Sequence, residues 1–306
     1  MEFLRDTWVT LATDGGSNYR LFVRNISFDQ SFKQTSTKRK TLHDSAALIE
    51  GSEINEANPA QFEMELSLID ESSQFQHTPL QYLLKNTADS LDTFTLYIDP
   101  YAGTTSGNNK KYKLSKCVIE SGSFSISKNQ LMYVSLQGSA RELDRVTQVV
   151  THGTHPGSDS DNPKASAVLP KVLNVTVDGT LLEGVQGVSL EVQNNIEWTK
   201  NNTLQKSLVA TSSTNTTYPD NFTLKDRVVA GNITTYVGTQ ISHLLNWKEN
   251  ITIRIQAGLS SSNYQFDANL TPCSFTNRVQ STEAYTQAYD FRMMGGSVDL
   301  NTLFTY

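Results

Sequence analysis

Two stretches of the chain carry one pattern at a spacing of 162 residues. The first is ISFDQSFKQTSTKRKTLH (residues 26–43), and the second is VSLEVQNNIEWTKNNTLQ (residues 188–205). The shift superimposes identical residues: Ser27 on Ser189, Thr37 on Thr199, Lys38 on Lys200, Thr41 on Thr203 and Leu42 on Leu204. It also superimposes similar residues: Ile26 on Val188, Phe28 on Leu190 and Asp29 on Glu191. A chain that repeats a long hairpin in this way is predicted to contain the same structural unit twice.

The repeat continues beyond the hairpin. PAQFEMELSL from Pro59 is matched by PDNFTLKDRV from Pro219, in each case after a polar stretch. TPLQYLL (residues 78–84) is matched by TQISHLL (residues 239–245). Apolar residues in both segments recur at i, i+3 and i+4, and this spacing predicts one short amphipathic helix in each copy.

Alternating strands are predicted after each helix. DTFTLYID from Asp92 and NITIRIQA from Asn250 place an apolar residue at every second position, which puts one face of each strand in a core. Further strands are predicted from Tyr112 and Tyr264, and each copy closes on a strand that ends in QGSA or GGSV. The fold class is therefore mainly β, a β-sandwich or half-barrel with one short helix per domain.

The chain of 306 residues is long enough for two domains. We predict a first domain over residues 1–150 and a second over residues 169–306. Residues 151–168 include THGTHPGSDSDNPKASA, whose Gly, Pro, Ser and Asp content predicts a flexible linker.

Catalytic, metal and nucleic-acid sites are not indicated. The net charge of −6 is opposite to that of proteins that grip phosphates, and two cysteines are too few for a disulfide framework or a cysteine zinc site. His152 and His155, with Asp159 and Asp161 behind them, form a weak candidate for divalent metal, but a Gly/Pro linker lacks the rigid scaffold that metal sites use. We expect no enzyme activity, no cofactor and no metal.

The start, MEFLRDTWVT, has no apolar leader, and no stretch approaches the length of a membrane span. We expect the chain to be made in a reducing cytoplasm.

Each half resembles the tail tube proteins of long-tailed bacteriophages. The resemblance rests on the long hairpin with its polar extension, on the short helix segments LQYLL and ISHLL, and on the late strands ending GSA and GSV. It implies tandem tail-tube-like domains that complete a β-barrel ring on oligomerisation, with three chains in each pseudo-hexameric ring. Stacked rings would form a virion tail tube that conducts DNA during infection.

The resemblance and the strand alternation suggest roles for the repeated residues. Asp29 and Glu191 are candidate lumen-facing charges, because alternation places them opposite Phe28 and Leu190. Ile26, Phe28, Val188 and Leu190 are candidates for hairpin packing and the ring interface. The extended loops, roughly residues 35–60 and 198–221, are expected to contact the next ring, and the repeated candidates in them are Thr37, Lys38, Thr41, Leu42, Thr199, Lys200, Thr203 and Leu204.

The implied partners are other copies of the chain, a tape measure protein inside the tube and tail-end or baseplate proteins. DNA would only pass through, without sequence-specific binding, and a sheath would be a separate protein. Two alternatives remain open. One is a tail terminator or baseplate-proximal ring of the same machine. The other is a carbohydrate-binding β-sandwich adhesin, which calls for clustered exposed aromatics that Trp8, Trp198 and Trp247 do not supply in sequence.

Overall fold

The fold is almost entirely β structure, as the computed structural model shows. It is described for residues 7–21, 23–39, 48–67, 82–83, 86–87, 90–100, 111–127, 129–147, 170–199, 218–219, 221–237, 247–261, 263–281, 285–294 and 304–305. The prediction of a mainly β fold is confirmed.

The strands of the first half are β1 (Trp8–Thr13), β2 (Asn18–Leu21), β3 (Val23–Asp29), β4 (Phe32–Arg39), β5 (Leu48–Ala57), β6 (Ala60–Ser67), β7 (Asn86–Thr87), β8 (Ser90–Leu91), β9 (Phe94–Asp99), β10 (Lys111–Ser127), β11 (Tyr133–Ala140) and β12 (Glu142–Val146). Those of the second half are β13 (Val172–Val177), β14 (Thr180–Leu181), β15 (Val185–Trp198), β16 (Phe222–Tyr236), β17 (Trp247–Ser260), β18 (Asn263–Ser281), β19 (Tyr285–Met293) and β20 (Phe304–Thr305).

Period-two alternation explains why these segments are strands. The alternating apolar residues of β9 and β17 are all buried, as predicted; they are Phe94, Leu96, Ile98, Ile251, Ile253 and Ile255. On β15 the buried residues are again every second one, Val188, Leu190 and Val192. Each strand thus turns one face to the core and the other to solvent.

The strands of the two halves pair in the same order. In the first half the order is β2, β1, β9, β10, β11, β6, β3. In the second half it is β14, β13, β17, β18, β19, β16, β15. Every one of these pairings is antiparallel, so within its own half each strand has the same neighbours as its counterpart.

The two halves share one sheet. Strand β10 of the first half pairs antiparallel with β15 of the second, from Ser121 opposite Gln193 to Ser127 opposite Gly187. An uninterrupted run of eight strands results, in the order β3, β6, β11, β10, β15, β16, β19, β18. These eight strands make up half of a 16-stranded sheet.

The core lies on the inner face of this run. Phe62 of β6 meets Phe94 of β9 with ring centroids 6.3 Å apart, so the sheet folds over onto β1 and β9. Phe124 of β10 meets Phe266 of β18 with centroids 5.8 Å apart, which joins the apolar residues of the two halves in one cluster.

The two cysteines occupy matching positions. Cys117 lies opposite Phe94, and Cys273 lies opposite Ile251, in each case beside a register irregularity in the long strand. Both are free and buried. Burial raises the pKa of the Cys273 thiol to about 12 and raises that of Cys117 further, so both are neutral packing residues.

One predicted alignment is wrong by nine residues. The proline-anchored match places Phe62 on Phe222, but Phe62 lies opposite Phe28 whereas Leu190 lies opposite Gly231. The arms of the second hairpin are continuous, whereas those of the first are interrupted at residues 30–31 and 58–59. Pro59 therefore lies inside an arm and Pro219 precedes one, so the two prolines do not correspond.

The expected loop over residues 35–60 is also wrong where it is described. Strands β4 and β5 pair from Phe32 opposite Ala57 to Arg39 opposite Leu48, and they extend the first hairpin instead of forming a loop. In the second copy, Thr199 donates from its backbone N–H to Asn221 O at 2.7 Å, so the long hairpin closes at least to that pair.

The predicted helices and linker lie mainly outside the described residues. Tyr82 and Leu83, from the first predicted helix, are helical and buried, while residues 239–245 and 151–168 are not described. Leu83 packs on Gly122, where an added Cβ would lie 2.2 Å from Leu83 Cδ2. The helices and the domain boundaries stay predictions.

A phenylalanine covers a glycine in each half, but the two residues exchange strands. In the first half Phe62 of β6 lies opposite Gly138 of β11, and in the second half Phe291 of β19 lies opposite Gly231 of β16. The ring occupies the space that a glycine side chain leaves empty, because an added Cβ would lie 2.4 Å from Cζ of the ring in both cases.

An ion pair between Arg254 and Asp267 links strands β17 and β18, and it is lost when Asp267 is protonated. Arg254 donates to Asp267 through Nε at 2.9 Å and through Nη2 at 2.6 Å, and Gln256 Nε2 donates to the same carboxylate at 3.0 Å. Burial acts to raise the pKa of Asp267, but these hydrogen bonds outweigh it and hold the pKa below its usual value.

Replacing Asp267 by asparagine is expected to lower the free energy of unfolding at neutral pH and to change it little at acidic pH. A lowered native pKa adds stability above the usual aspartate pKa, and this stability is lost as pH falls through the native pKa. Urea unfolding of wild type and Asp267→Asn between about pH 7 and about pH 3 measures the difference. A difference in unfolding free energy that stays constant with pH would contradict the assignment.

Candidate functional site

The outward face of the eight-strand run is a broad polar surface, hereafter the polar face. One row of cross-strand partners crosses all eight strands and consists of Asn25, Glu65, Ser135, Ser123, Glu191, Ala230, Arg292 and Ser274. Serine and amide side chains dominate, and the carboxylates Asp29, Glu63, Glu65, Glu191 and Asp290 accompany the guanidinium groups Arg24, Arg278 and Arg292. The polar face therefore carries more acid than base.

Asp29 and Glu191, the candidate lumen charges, both lie exposed on the polar face. They occupy matching positions on β3 and β15 but are not adjacent, because three other strands, β6, β11 and β10, lie between those two. Glu191 accepts a hydrogen bond from Gln193 Nε2 at 3.0 Å.

The four apolar hairpin candidates lie on the opposite, inward face. Val188 and Leu190 are buried against β10, where they lie opposite Ile126 and Phe124. Ile26 is buried on β3, and Phe28 packs on Tyr112 with ring centroids 5.2 Å apart. The structure thus places one pair at the contact between the halves and the other pair on the outermost strand.

The contact between β10 and β15, hereafter the internal joint, is reinforced by polar bonds. Asn194 is buried and donates from Nδ2 to Ile119 O at 3.0 Å, and it accepts from Arg227 Nε at 2.6 Å. Trp198 Nε1 donates to Ser139 Oγ at 2.7 Å, and that hydroxyl donates in turn to Glu120. The Asn194–Ile119 and Trp198–Ser139 bonds link residues of different halves in a water-poor setting, so they fix the register of the joint, and the other two bonds hold Asn194 and Ser139 in place.

Two edges of the eight-strand run have no partner over part of their length within the described structure. On β18, the described pairing with β17 runs as far as Thr276, which lies opposite Trp247, and among the described strands residues 277–281 have only β19 beside them. Among the strands that the structure describes, β3 has β6 as its only neighbour. Unpaired edges offer backbone N–H and C=O groups to another strand.

The candidates for contact between rings are only partly described. Thr37 and Lys38 belong to β4, and Thr199 is exposed just after β15. The others, Thr41, Leu42, Lys200, Thr203 and Leu204, lie outside the described residues. Their role stays a prediction.

Sequence reasoning missed the β10 side of the joint. Residues 121–127, SGSFSIS, alternate serine or glycine with apolar residues, and this is the pattern of a strand with one polar and one buried face. It also missed Arg278 and Val279 on the open edge of β18. The local sequence does not show which strand will pair with such a segment, because the partner strand is distant along the chain.

No reactive centre appears in the part of the chain that the structure describes. Within those ranges no group of three or more His, Cys, Asp and Glu side chains could hold a metal. Candidates His152 and His155 are not among the described residues. No helix within those ranges is long and apolar enough to cross a bilayer.

A wide polar face bordered by open strand edges is typical of a structural protein that assembles through its sheets. The chain belongs to the Bacteriophage Baseplate Tube Protein Family, whose family model matches residues 2–305. It is therefore a structural component of the phage tail and baseplate, and hence of the virion.

Two further comparisons complete this result. No curated protein matches the chain. Among solved structures, a chain from the cryo-EM structure of the anti-feeding prophage (AFP) baseplate, 6-fold symmetrised, is similar at 11% identity and a TM-score of 0.33. That match covers 46% of this chain and 91% of the other.

Proposed function

We propose that the protein forms a closed ring of the phage tube where the tube meets the baseplate, with three chains contributing six similar units. The family favours a baseplate-proximal ring over the repeated ring of the main tube, and it gives no support to the carbohydrate-binding alternative. The role is structural and needs no catalytic residue.

The observation that carries this proposal is the internal joint. Two halves with the same pairing order already lie side by side in one sheet, joined by β10 of the first and β15 of the second. Two units related in this way indicate a tandem duplication of one domain. The same step, repeated between chains, adds eight strands for each chain. A closed ring would pair both open edges of the run, as closure of a barrel does.

The polar face suits the wall of a DNA-conducting channel. DNA that must pass through should not be held by arrays of Lys and Arg, because each phosphate contact adds affinity by counterion release. The chain carries a net charge of −6, and Asp29 and Glu191 lie exposed on the polar face. We assign that face to the lumen, with DNA and a tape measure protein as passing or enclosed partners.

The long hairpins suit contacts along the tube axis. Strands β4 and β5 continue the first hairpin past the sheet, and the second hairpin continues past Trp198 and Phe222 at least to the hydrogen bond between Thr199 and Asn221. We assign the repeated candidates to contacts with adjacent rings or baseplate proteins; they are Thr37, Lys38, Thr41, Leu42, Thr199, Lys200, Thr203 and Leu204. Assembly would follow synthesis in the host cytoplasm.

Purified protein is expected to form rings whose mass is three times the 34.0 kDa of the chain. Mass photometry measures the mass, and negative-stain electron microscopy shows whether the particles are annular. Particles that remain monomeric at every concentration, with or without added baseplate partners, would rule out the ring.

A further inference from the structure

We propose that the ring closes through a second joint, in which residues 277–281 on β18 of one chain pair antiparallel with residues 26–30 of the next chain, in the register of the internal joint. This proposal rests on the proposed ring. It places Arg278 opposite Asp29 and Val279 opposite Phe28 of the neighbouring copy.

Cross-strand partners establish which residues of the two halves correspond. From Ile26 the partners run through Met64 and Leu136 to Gly122. From Val188, the counterpart of Ile26, they run through Ile233 and Tyr289 to Asn277. Gly122 and Asn277 therefore hold the same position in the two halves, and so do the residues that follow them.

The internal joint then defines the register of the second one. Ser123 lies opposite Glu191, and Phe124 lies opposite Leu190. The counterparts of Ser123 and Phe124 are Arg278 and Val279. The counterparts of Glu191 and Leu190 on the first hairpin are Asp29 and Phe28, at the shift of 162 residues.

Burial shows that the β18 edge lacks the cover that its counterpart has. Phe124 is 0% exposed beneath β15, whereas Val279 is 61% exposed. At another matching pair of positions, just before β11 and at the start of β19, Met132 is 2% exposed and Tyr285 is 66% exposed. An apolar pair left open in one half and covered in the other is what a missing neighbouring strand produces.

Charge favours a second copy of this chain as that strand. Arg278 is held at the edge by Asp290, with Nη2 2.8 Å from Oδ2, and its side chain is 61% exposed. Asp29 is exposed on the same polar face, on the β3 edge. Opposite charges directly across an antiparallel pair are favourable and like charges are unfavourable, so the pairing selects this register.

A pair of cysteines tests the register in the assembled protein. Side chains directly opposite each other have Cβ atoms about 4.5–5.5 Å apart, close enough for a disulfide after small adjustment. Arg278→Cys with Asp29→Cys is expected to give covalent dimers and trimers on a non-reducing gel. The matched control, Ser123→Cys with Glu191→Cys, sits in the internal joint and is expected to link within one chain only.

A charge exchange provides the second readout. Asp29→Arg and Arg278→Asp are each expected to lower the ring-forming affinity roughly fivefold or more, and the double variant is expected to restore it. Circular dichroism on each variant confirms that the chain is folded.

The outcomes separate the two proposals. Wild-type protein that forms no rings refutes the proposed function. Rings that form while Arg278→Cys links to Ser27→Cys or Ser31→Cys instead of Asp29→Cys refute the register, as do rings in which none of these pairs links. Failure of the charge exchange to restore assembly also counts against the register.

Discussion

Replacing Gly231 by alanine is expected to destabilise the second half by about 3 kcal/mol, at the upper end of the usual cost of overpacking. The added Cβ would lie 2.3 Å from Ser189 O and 2.4 Å from Phe291 Cζ. The phenyl ring can move, but the carbonyl oxygen belongs to the neighbouring strand β15 and can move only with that strand. Equilibrium urea unfolding measures the loss.

Gly187→Ala is the matched control on the same pair of strands. Its added Cβ would come no closer than 3.4 Å to any neighbouring heavy atom, so the substitution is expected to cost less than about 1 kcal/mol. Equal losses at Gly187 and Gly231 would mean that the close approach of Ser189 O and Phe291 to Gly231 does not set the cost.

An exchange variant tests the same contact in the opposite direction. In the first half the phenylalanine stands on β6 and the glycine on β11, the reverse of the arrangement on β16 and β19. Gly231→Phe combined with Phe291→Gly reproduces the first-half arrangement in the second half. It is expected to be more stable than Gly231→Phe alone, and the absence of any recovery would show that the two sites are not equivalent.

Much of the fold could be predicted from local pattern. Alternation located β9, β17, β10 and β18, and the repeated hairpin indicated two similar units before any pairing was known. These signals are strong because each strand buries every second residue, as Leu96 and Ile253 do. Burial on one face leaves a period-two trace in the sequence whatever the strand pairs with.

The errors have one physical source. A proline inside a strand interruption and a proline before a strand look alike in sequence, so the pattern aligns Pro59 with Pro219. That alignment is shifted by nine residues, because the cross-strand partners make Gly231, not Phe222, the counterpart of Phe62. Likewise, the phenylalanine and the glycine have exchanged strands between the two halves. The exchange keeps the packed volume, but Phe62 then corresponds to Gly231 and Gly138 to Phe291, so the sequences do not match at these positions. Register depends on partners far away along the chain.

The candidate site was predictable only in part. Alternation placed Asp29 and Glu191 on a face opposite Phe28 and Leu190, and the structure agrees. The internal joint was not foreseeable, because nothing in SGSFSIS specifies that β15 rather than another strand will cover it. The open edge at Val279 became visible only when its covered counterpart, Phe124, was known.

Replacing Phe124 by alanine is expected to cost about 3–5 kcal/mol, because it empties a fully buried aromatic site. Phe124 lies opposite Leu190, and its ring centroid is 5.8 Å from that of Phe266. The substitution therefore weakens the packing of the internal joint. Urea unfolding followed by tryptophan fluorescence, with Trp198 beside the joint, measures it.

Val279→Ala is the matched variant at the corresponding position of the second half. In the isolated chain Val279 is largely exposed, so its truncation is expected to change the unfolding free energy by less than about 0.5 kcal/mol. If residues 277–281 are the closing edge, the same truncation weakens assembly, because the side chain becomes buried only against Phe28 of the next copy. A Val279→Ala protein with unchanged stability and weakened ring formation would therefore separate the two joints. In that case Phe124 would contribute mainly to the stability of the single chain, and Val279 would contribute mainly to the affinity between chains in the ring.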